Sequence, residues 1–285
     1  MSRLTDWAPE HGRLYTRENV VSVEQRNRPR CYVANMDDGQ VLRLNSVSTI
    51  AGIADDKGWA APWGAKEAVL YLQQVLRMDP GIGKRPDALD RACKDAKGAH
   101  RRKKETAASY GSMVHDFAEK HRNSGGTYRP VLNGLPTEVL NGWDAYLRWA
   151  NKGRLETLRS ESLVYSIRHG FAGTLDGLGR DTKNGKFWLE DYKCSARVKE
   201  PYMAQLGGYA LCLEEEGVEV YGGVILRFDK ETGGLEVWPI YDKDFELCKQ
   251  AFLGLSEGCR CRRLASEALK KAKKKMKCFP TTSKK

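Results

Sequence analysis

The sequence predicts an α/β fold, a mixed β-sheet flanked by helices, on three observations. Residues 155 to 193 hold three runs rich in apolar, β-branched and aromatic side chains, separated by glycine-bearing turns. A helical pattern precedes them, and a second pair of strand-like runs lies between two further helical patterns. The resulting order is helix, three strands, helix, two strands, helix, which gives an α/β sandwich around one sheet. At 285 residues the chain is long enough to bury a substantial core.

The elements follow in order. Arg30 to Val33 and Gln40 to Leu44 flank Asp37-Asp38-Gly39, a hairpin-like turn. Asn45 or Ser46 can cap a short helix containing Val47, Ile50 and Ile53. Pro62 stands near the start of another helix, with Trp63, Ala65, Val69, Leu70, Leu72 and Leu76 at roughly helical spacing. After Pro80-Gly81 and Pro86, residues 87 to 104 read as a helical run that grows increasingly basic and can face a phosphate backbone. A helix from Thr106 to about Arg122 puts His115 and Glu119 four apart on one face. Gly125-Gly126-Thr127 ends it, and Pro136 to Ala150 forms the next helix.

Leu155 to Ile167 and Phe171 to Gly179 read as strands joined near His169-Gly170, and Lys186 to Lys193 as a third, most simply antiparallel to its neighbours. Pro201 starts a helix to Glu216 that Gly217 stops. Val218 to Phe228 and Gly234 to Ile240 are joined through residues 229 to 233, and a final helix runs from Lys243 to Lys277. This divides the chain into an N-terminal elaboration (1–104, hairpin plus helices), a core (105–258) and a basic C-terminal helix or tail (259–285).

The net charge of +11 is concentrated at one end. Residues 260 to 285 hold eleven lysines and arginines against the single acid Glu267, which leaves the rest of the chain at about +1. Such a tail attracts polyanions through counterion release, so nucleic acid is the expected partner. No apolar run approaches the length of a membrane span, and residues 1 to 6 lack the layout of a secretory leader. The expectation is therefore a soluble, cytoplasmic protein with no membrane partner. The eight cysteines (31, 93, 194, 212, 248, 259, 261 and 278) show no disulfide rhythm and suit a reducing compartment.

Chemistry concentrates between Gly173 and Tyr209. In the strand ending Leu189-Glu190-Asp191-Tyr192-Lys193, alternation puts Asp191 and Lys193 on one face and Glu190 on the other, so Glu190 is excluded from any site they share. A carboxylate and an ammonium at the end of an apolar strand are costly to bury unless paired or metal-bound. A hard cation held by oxygen ligands resolves that cost. Asp176 precedes them on the neighbouring strand, and Gln205 and Tyr209 sit at i and i+4 on the following helix.

These residues, with Gly111-Ser112-Met113-Val114-His115, Gly173-Thr174-Leu175-Asp176, Asp191-Tyr192-Lys193 and Gln205-Leu206-Gly207-Gly208-Tyr209 in that order, resemble the PD-(D/E)XK nuclease superfamily. The likeness is closest to its RecB-like, phage-type exonuclease branch, and covers residues 105 to 240. It implies a restriction-endonuclease-like sandwich with a mostly helical N-terminal elaboration. It also implies a Mg²⁺- or Mn²⁺-dependent deoxyribonuclease of replication, recombination or repair, acting on single- or double-stranded DNA, with a replication or recombination protein as a further partner.

By that resemblance Asp176 and Asp191 bind the metal, His115 completes the site, and the carbonyl of Tyr192 is an extra ligand. Lys193 polarises the attacking water, and Gln205 and Tyr209 hold Lys193 or a substrate phosphate. Glu119 and Glu161 are candidates for an outer ligand. An imidazole ligand predicts tolerance of manganese. Some relatives hold an iron–sulfur cluster through C-terminal cysteines, but Cys259-Arg260-Cys261 is too tight and Cys278 too distant to match such a run, so none is expected. The alternatives are a non-catalytic nucleic-acid-binding protein of the same fold and a structure-specific endonuclease.

Overall fold

A computed structural model describes residues 15–27 and 30–276. Residues 1 to 6, Cys278 and the basic residues Lys277, Lys284 and Lys285 lie outside the described residues. Eight strands form one mixed sheet: β1 (Val20–Asn27), β2 (Arg30–Met36), β3 (Val41–Ser46), β4 (Leu155–Ser166), β5 (Phe171–Asp181), β6 (Phe187–Lys193), β7 (Gly222–Phe228) and β8 (Leu235–Tyr241). Their order is β1-β2-β3-β5-β6-β7-β8, with β4 also paired to β5. The β3–β5 and β6–β7 pairs are parallel and the others antiparallel.

The helices are α1 (Val47–Ala51), α2 (Ala60–Met78), α3 (Pro86–Lys97), α4 (Ala99–Asn123), α5 (Thr137–Ala150), α6 (Glu200–Glu215) and α7 (Asp242–Met276). On one sheet face, α1, α6 and α7 bury Val47, Ile50, Leu175, Leu189, Leu206, Ile225 and Phe252. On the other, α4 and α5 bury Val114, Trp143 and Tyr146 against Tyr192, Val224 and Phe228. Alternation along β6 and β7 sorts neighbours such as Val224 and Ile225 to opposite cores. At Gly207 a Cβ would fall 2.2 Å from the Cys248 carbonyl oxygen, so only glycine lets α6 and α7 cross this closely.

Three elements differ from the sequence reading. β1 is a strand that no alternation marks, because among the described residues it lies at the sheet's edge, with Val21 exposed and β2 its one partner. The basic run after Pro86 breaks at Gly98, so α4 begins at Ala99 and carries both Arg101–Lys104 and His115 on one helix. The strand expected from Val218 starts at Gly222. The boundaries at 104/105 and 258/259 both fall inside helices, and β3 joins the N-terminal strands to β5.

Pairing around β5 creates a fork. β4 lines one edge of β5 over Phe171 to Asp181. On the opposite edge β3 pairs with Phe171 and Ala172, while β6 pairs with Gly177 to Arg180. Between them, Gly173 to Asp176 have no ladder partner on that edge among the described residues.

Candidate metal centre at the strand fork

Register puts three carboxylates in one row across three strands. β4 and β5 pair Ser160 with Gly177 and Ser162 with Leu175, so Glu161 stands opposite Asp176. β5 and β6 pair Gly177 with Glu190, so the next position along sets Asp176 opposite Asp191. At this point the regular ladder gives way, and Asp176 Oδ2 accepts the Tyr192 backbone N–H at 2.6 Å. The carboxylate thus bridges the mouth of the fork.

His115 reaches the row from α4. Its Nδ1 lies 3.5 Å from Asp176 Oδ1 and 3.6 Å from Glu161 Oε1. Ligand atoms of His115, Glu161 and Asp176 all lie within 4.8 Å of one another, a spacing that can hold one metal ion. Glu161 has φ +43°, a left-handed conformation that costs a non-glycine residue energy and tends to persist where function requires it. A side chain expected only as an outer ligand therefore belongs to the same three-residue group as His115.

Asp191 completes the row from the α6 side. It is fully buried, its Oδ1 accepts from Lys193 Nζ at 2.6 Å, and its Oδ2 has no hydrogen-bond partner among the described residues. A bare, buried carboxylate oxygen is costly. A cation between Asp176 and Asp191 would satisfy it, although Asp191 stands outside the group of His115, Glu161 and Asp176 whose ligand atoms share the 4.8 Å spacing; imidazole and carboxylate donors suit Mg²⁺ or Mn²⁺. The donor set fits such an ion.

The electrostatics agree with crowding of like charge. Burial pushes the Asp191 carboxyl up to about 6, Lys193 opposes this, and the Asp176 charge adds to it. Asp176 moves the other way: burial disfavours its charge, but His115, Lys193 and the Tyr192 N–H outweigh that and hold it below the usual carboxylate range. Burial opposes a charged His115, yet the charge and hydrogen bond of Asp176, then Glu161, raise its pKa well above the ordinary value. Burial likewise disfavours the Lys193 ammonium, but Asp191 and Asp176 raise its pKa and keep it cationic. Glu119, one turn beyond His115, is raised by burial and then by the charges of Glu161 and Asp116.

Gln205 and Tyr209 lie on the α6 wall of the fork. Gln205 Nε2 donates to the Tyr209 hydroxyl at 3.0 Å. A Cβ at Gly173 would lie 2.6 Å from the Tyr209 ring, so the bare backbone of β5 admits that ring. Burial, then the Asp176 and Asp191 charges, hold the Tyr209 hydroxyl protonated far above its ordinary range. Lys193 takes its contacts from Asp191 and from the Tyr202 ring, whose centroid is 5.0 Å from Nζ. The sequence gives Tyr202 no mark as a neighbour of Lys193 beyond its place in the first turn of the helix that follows the strand.

Glu190 faces the opposite side, where it accepts from Arg122, Trp149 and Tyr192. Cys248 is buried, Cys259 half-buried and Cys261 exposed along α7, and the three share no metal-binding group among the described residues. Among the described residues no helix is long and apolar enough to cross a membrane. Compared with known proteins, the chain matches no protein-family model and no curated sequence.

Proposed function

We propose that this chain is a metal-dependent nuclease that hydrolyses phosphodiester bonds in DNA, working from ends, with Mg²⁺ or Mn²⁺ held by Asp176, Asp191, His115 and Glu161. The reading adopts the PD-(D/E)XK resemblance with its RecB-like branch, the sandwich fold that goes with it, and a role in DNA replication, recombination or repair inside the cell. The observation that carries it is the carboxylate row at the fork, ending in the bare Asp191 oxygen beside a cationic lysine.

When bound, the ion supplies charge neutralisation at the scissile phosphate and acidifies a water. The protein groups then have separable tasks. Asp176 and Asp191 would hold the ion in the fork, with the Tyr192 carbonyl as the further oxygen that the resemblance implies. Lys193 is held cationic by Asp191, so it orients the water and stabilises negative charge growing on phosphorus rather than removing a proton. The attacking water gives its proton to solvent and forms the new phosphorus–oxygen bond as the bond to the leaving oxygen breaks, and that oxygen departs with a proton taken from solvent. Tyr209, locked by Gln205, contributes a hydroxyl donor beside the same charges.

Incubation with linear and circular DNA, with and without divalent metal, tests the proposal. Metal-dependent loss of linear DNA alone supports it; cleavage of both forms indicates an endonuclease. No degradation of either form, with DNA still bound, indicates a binding protein that has kept the fork without the chemistry.

A further inference from the structure

A chain of aromatic and cationic contacts leads from Lys193 to the far end of α4. Tyr202 lies beside Lys193, and three residues earlier Lys199 pairs with Asp55 at 3.2 Å. The Lys199 ammonium is 5.1 Å from the ring centroid of Trp59, which is 43% exposed. Trp59 meets Trp63 at 5.7 Å, and Trp63 meets His100 edge-on at 6.0 Å. His100 opens α4, the helix that carries His115 fifteen residues later, roughly 22 Å away at 1.5 Å per residue.

Trp59 is exposed and Trp63 half-buried on a helix, α2, that buries none of its described residues, while Tyr202 packs one side on the α6 core and stays half-buried. Aromatic side chains left part-exposed beside lysines match the chemistry of a nucleic-acid strand, whose bases stack while its phosphates meet cations. A duplex hides its base faces, whereas a single strand presents them. We propose that Trp59, Trp63 and Tyr202 form a stacking track for a single-stranded DNA end leading to the carboxylate row, with Lys199 taking its phosphates. The direction of the track rests on the nuclease reading; the binding does not.

The test is fluorescence anisotropy of the full chain in EDTA with labelled oligo-dT and with a blunt duplex of similar length. Trp59→Ala should weaken oligo-dT about tenfold or more, as loss of one stacked base requires, and change duplex affinity by less than about twofold. Trp59→Phe should retain most of the affinity, which a merely lost side chain would not predict, and circular dichroism should show both variants folded. Equal losses on the two ligands, or none, overturn the track. If the track fails while metal-dependent cleavage persists, the nuclease reading stands without it. If oligo-dT binding depends on Trp59 but no metal supports cleavage, the track stands and the nuclease reading falls.

Discussion

Glu190 and Asp191 are adjacent acids on one strand, 1% and 0% exposed, and they meet opposite surroundings. Glu190 receives two hydrogen bonds from Arg122 at 2.7 and 2.8 Å, one from the Trp149 indole at 2.9 Å and one from Tyr192 at 3.2 Å. Asp191 receives Lys193 on one oxygen and, among the described residues, nothing on the other. Burial alone therefore says little about function. What distinguishes the two carboxylates is unused bonding capacity: both Glu190 oxygens accept hydrogen bonds, although Arg122 Nε beside them is itself buried without a partner among the described residues, whereas one Asp191 oxygen is bare. Leaving a buried acceptor bare costs about 1–3 kcal/mol, a cost expected to survive where the site needs it.

The largest effects should come from the unsatisfied face. Asp191→Asn and Lys193→Ala should each lower metal-dependent cleavage by at least about a thousandfold, close to 4 kcal/mol, while leaving DNA binding largely intact. Undiminished turnover by either variant would refute the site. The same Asp191→Asn change should not lower the melting temperature at pH 7. The Asp191 carboxyl is pushed up to about 6, so between the ordinary value of 3.8 and that point the folded chain holds this proton more tightly than the unfolded chain does. Its ionisation thus weakens the fold as pH rises from about 4 to 6, and the penalty persists at neutrality. Thermal melts from pH 4 to 7 should show the variant gaining on the parent; a growing deficit would contradict the charge balance described for the fork.

On the satisfied face the order reverses. Arg122→Ala strands Glu190 and should cost at least about 3 kcal/mol in urea unfolding, because an uncompensated buried charge remains. A loss under about 1 kcal/mol would mean that the pair is not the anchor its geometry describes.

The asymmetry was half visible in the sequence. Alternation through Phe187 to Lys193 is enough to separate Glu190 from Asp191 and Lys193, and α5, α6 and α7 are legible from their proline, glycine and apolar spacing. Glu161 was not legible as an equal member of the row, because its own left-handed backbone, φ +43°, interrupts the alternation of β4, and no sequence pattern announces that. Arg122 lies 68 residues from Glu190, and no local pattern announces a pair at that distance. β1 escaped because an exposed edge strand has no buried face to enforce alternation.

Ion uptake sharpens the comparison further. At neutral pH His115 holds a proton against Asp176 and Glu161, and a metal must displace it. Calorimetry of Mn²⁺ binding at pH 7, in buffers of different ionisation enthalpy, should report release of about one proton per ion. Affinity should rise by about tenfold per pH unit just above 6, where His115 alone gives up a proton, and by up to about a hundredfold per unit below 6, where Asp191 must lose one too. A pH-independent affinity would exclude both groups as ligands.

The smallest effect is the most discriminating, because Tyr192 serves both faces. Its hydroxyl joins Arg122 and Glu190, while its backbone N–H holds Asp176. Tyr192→Phe removes only the first role and keeps the ring packed on Tyr146 and Phe228. Stability should fall by about 1 kcal/mol, and cleavage should stay within about twofold of the parent. A large loss of cleavage with so small a loss of stability would show that the hydroxyl network sets the position of Asp176 through the strand. The two faces would then be one device, and the separation between structural and functional acids on β6 would fail.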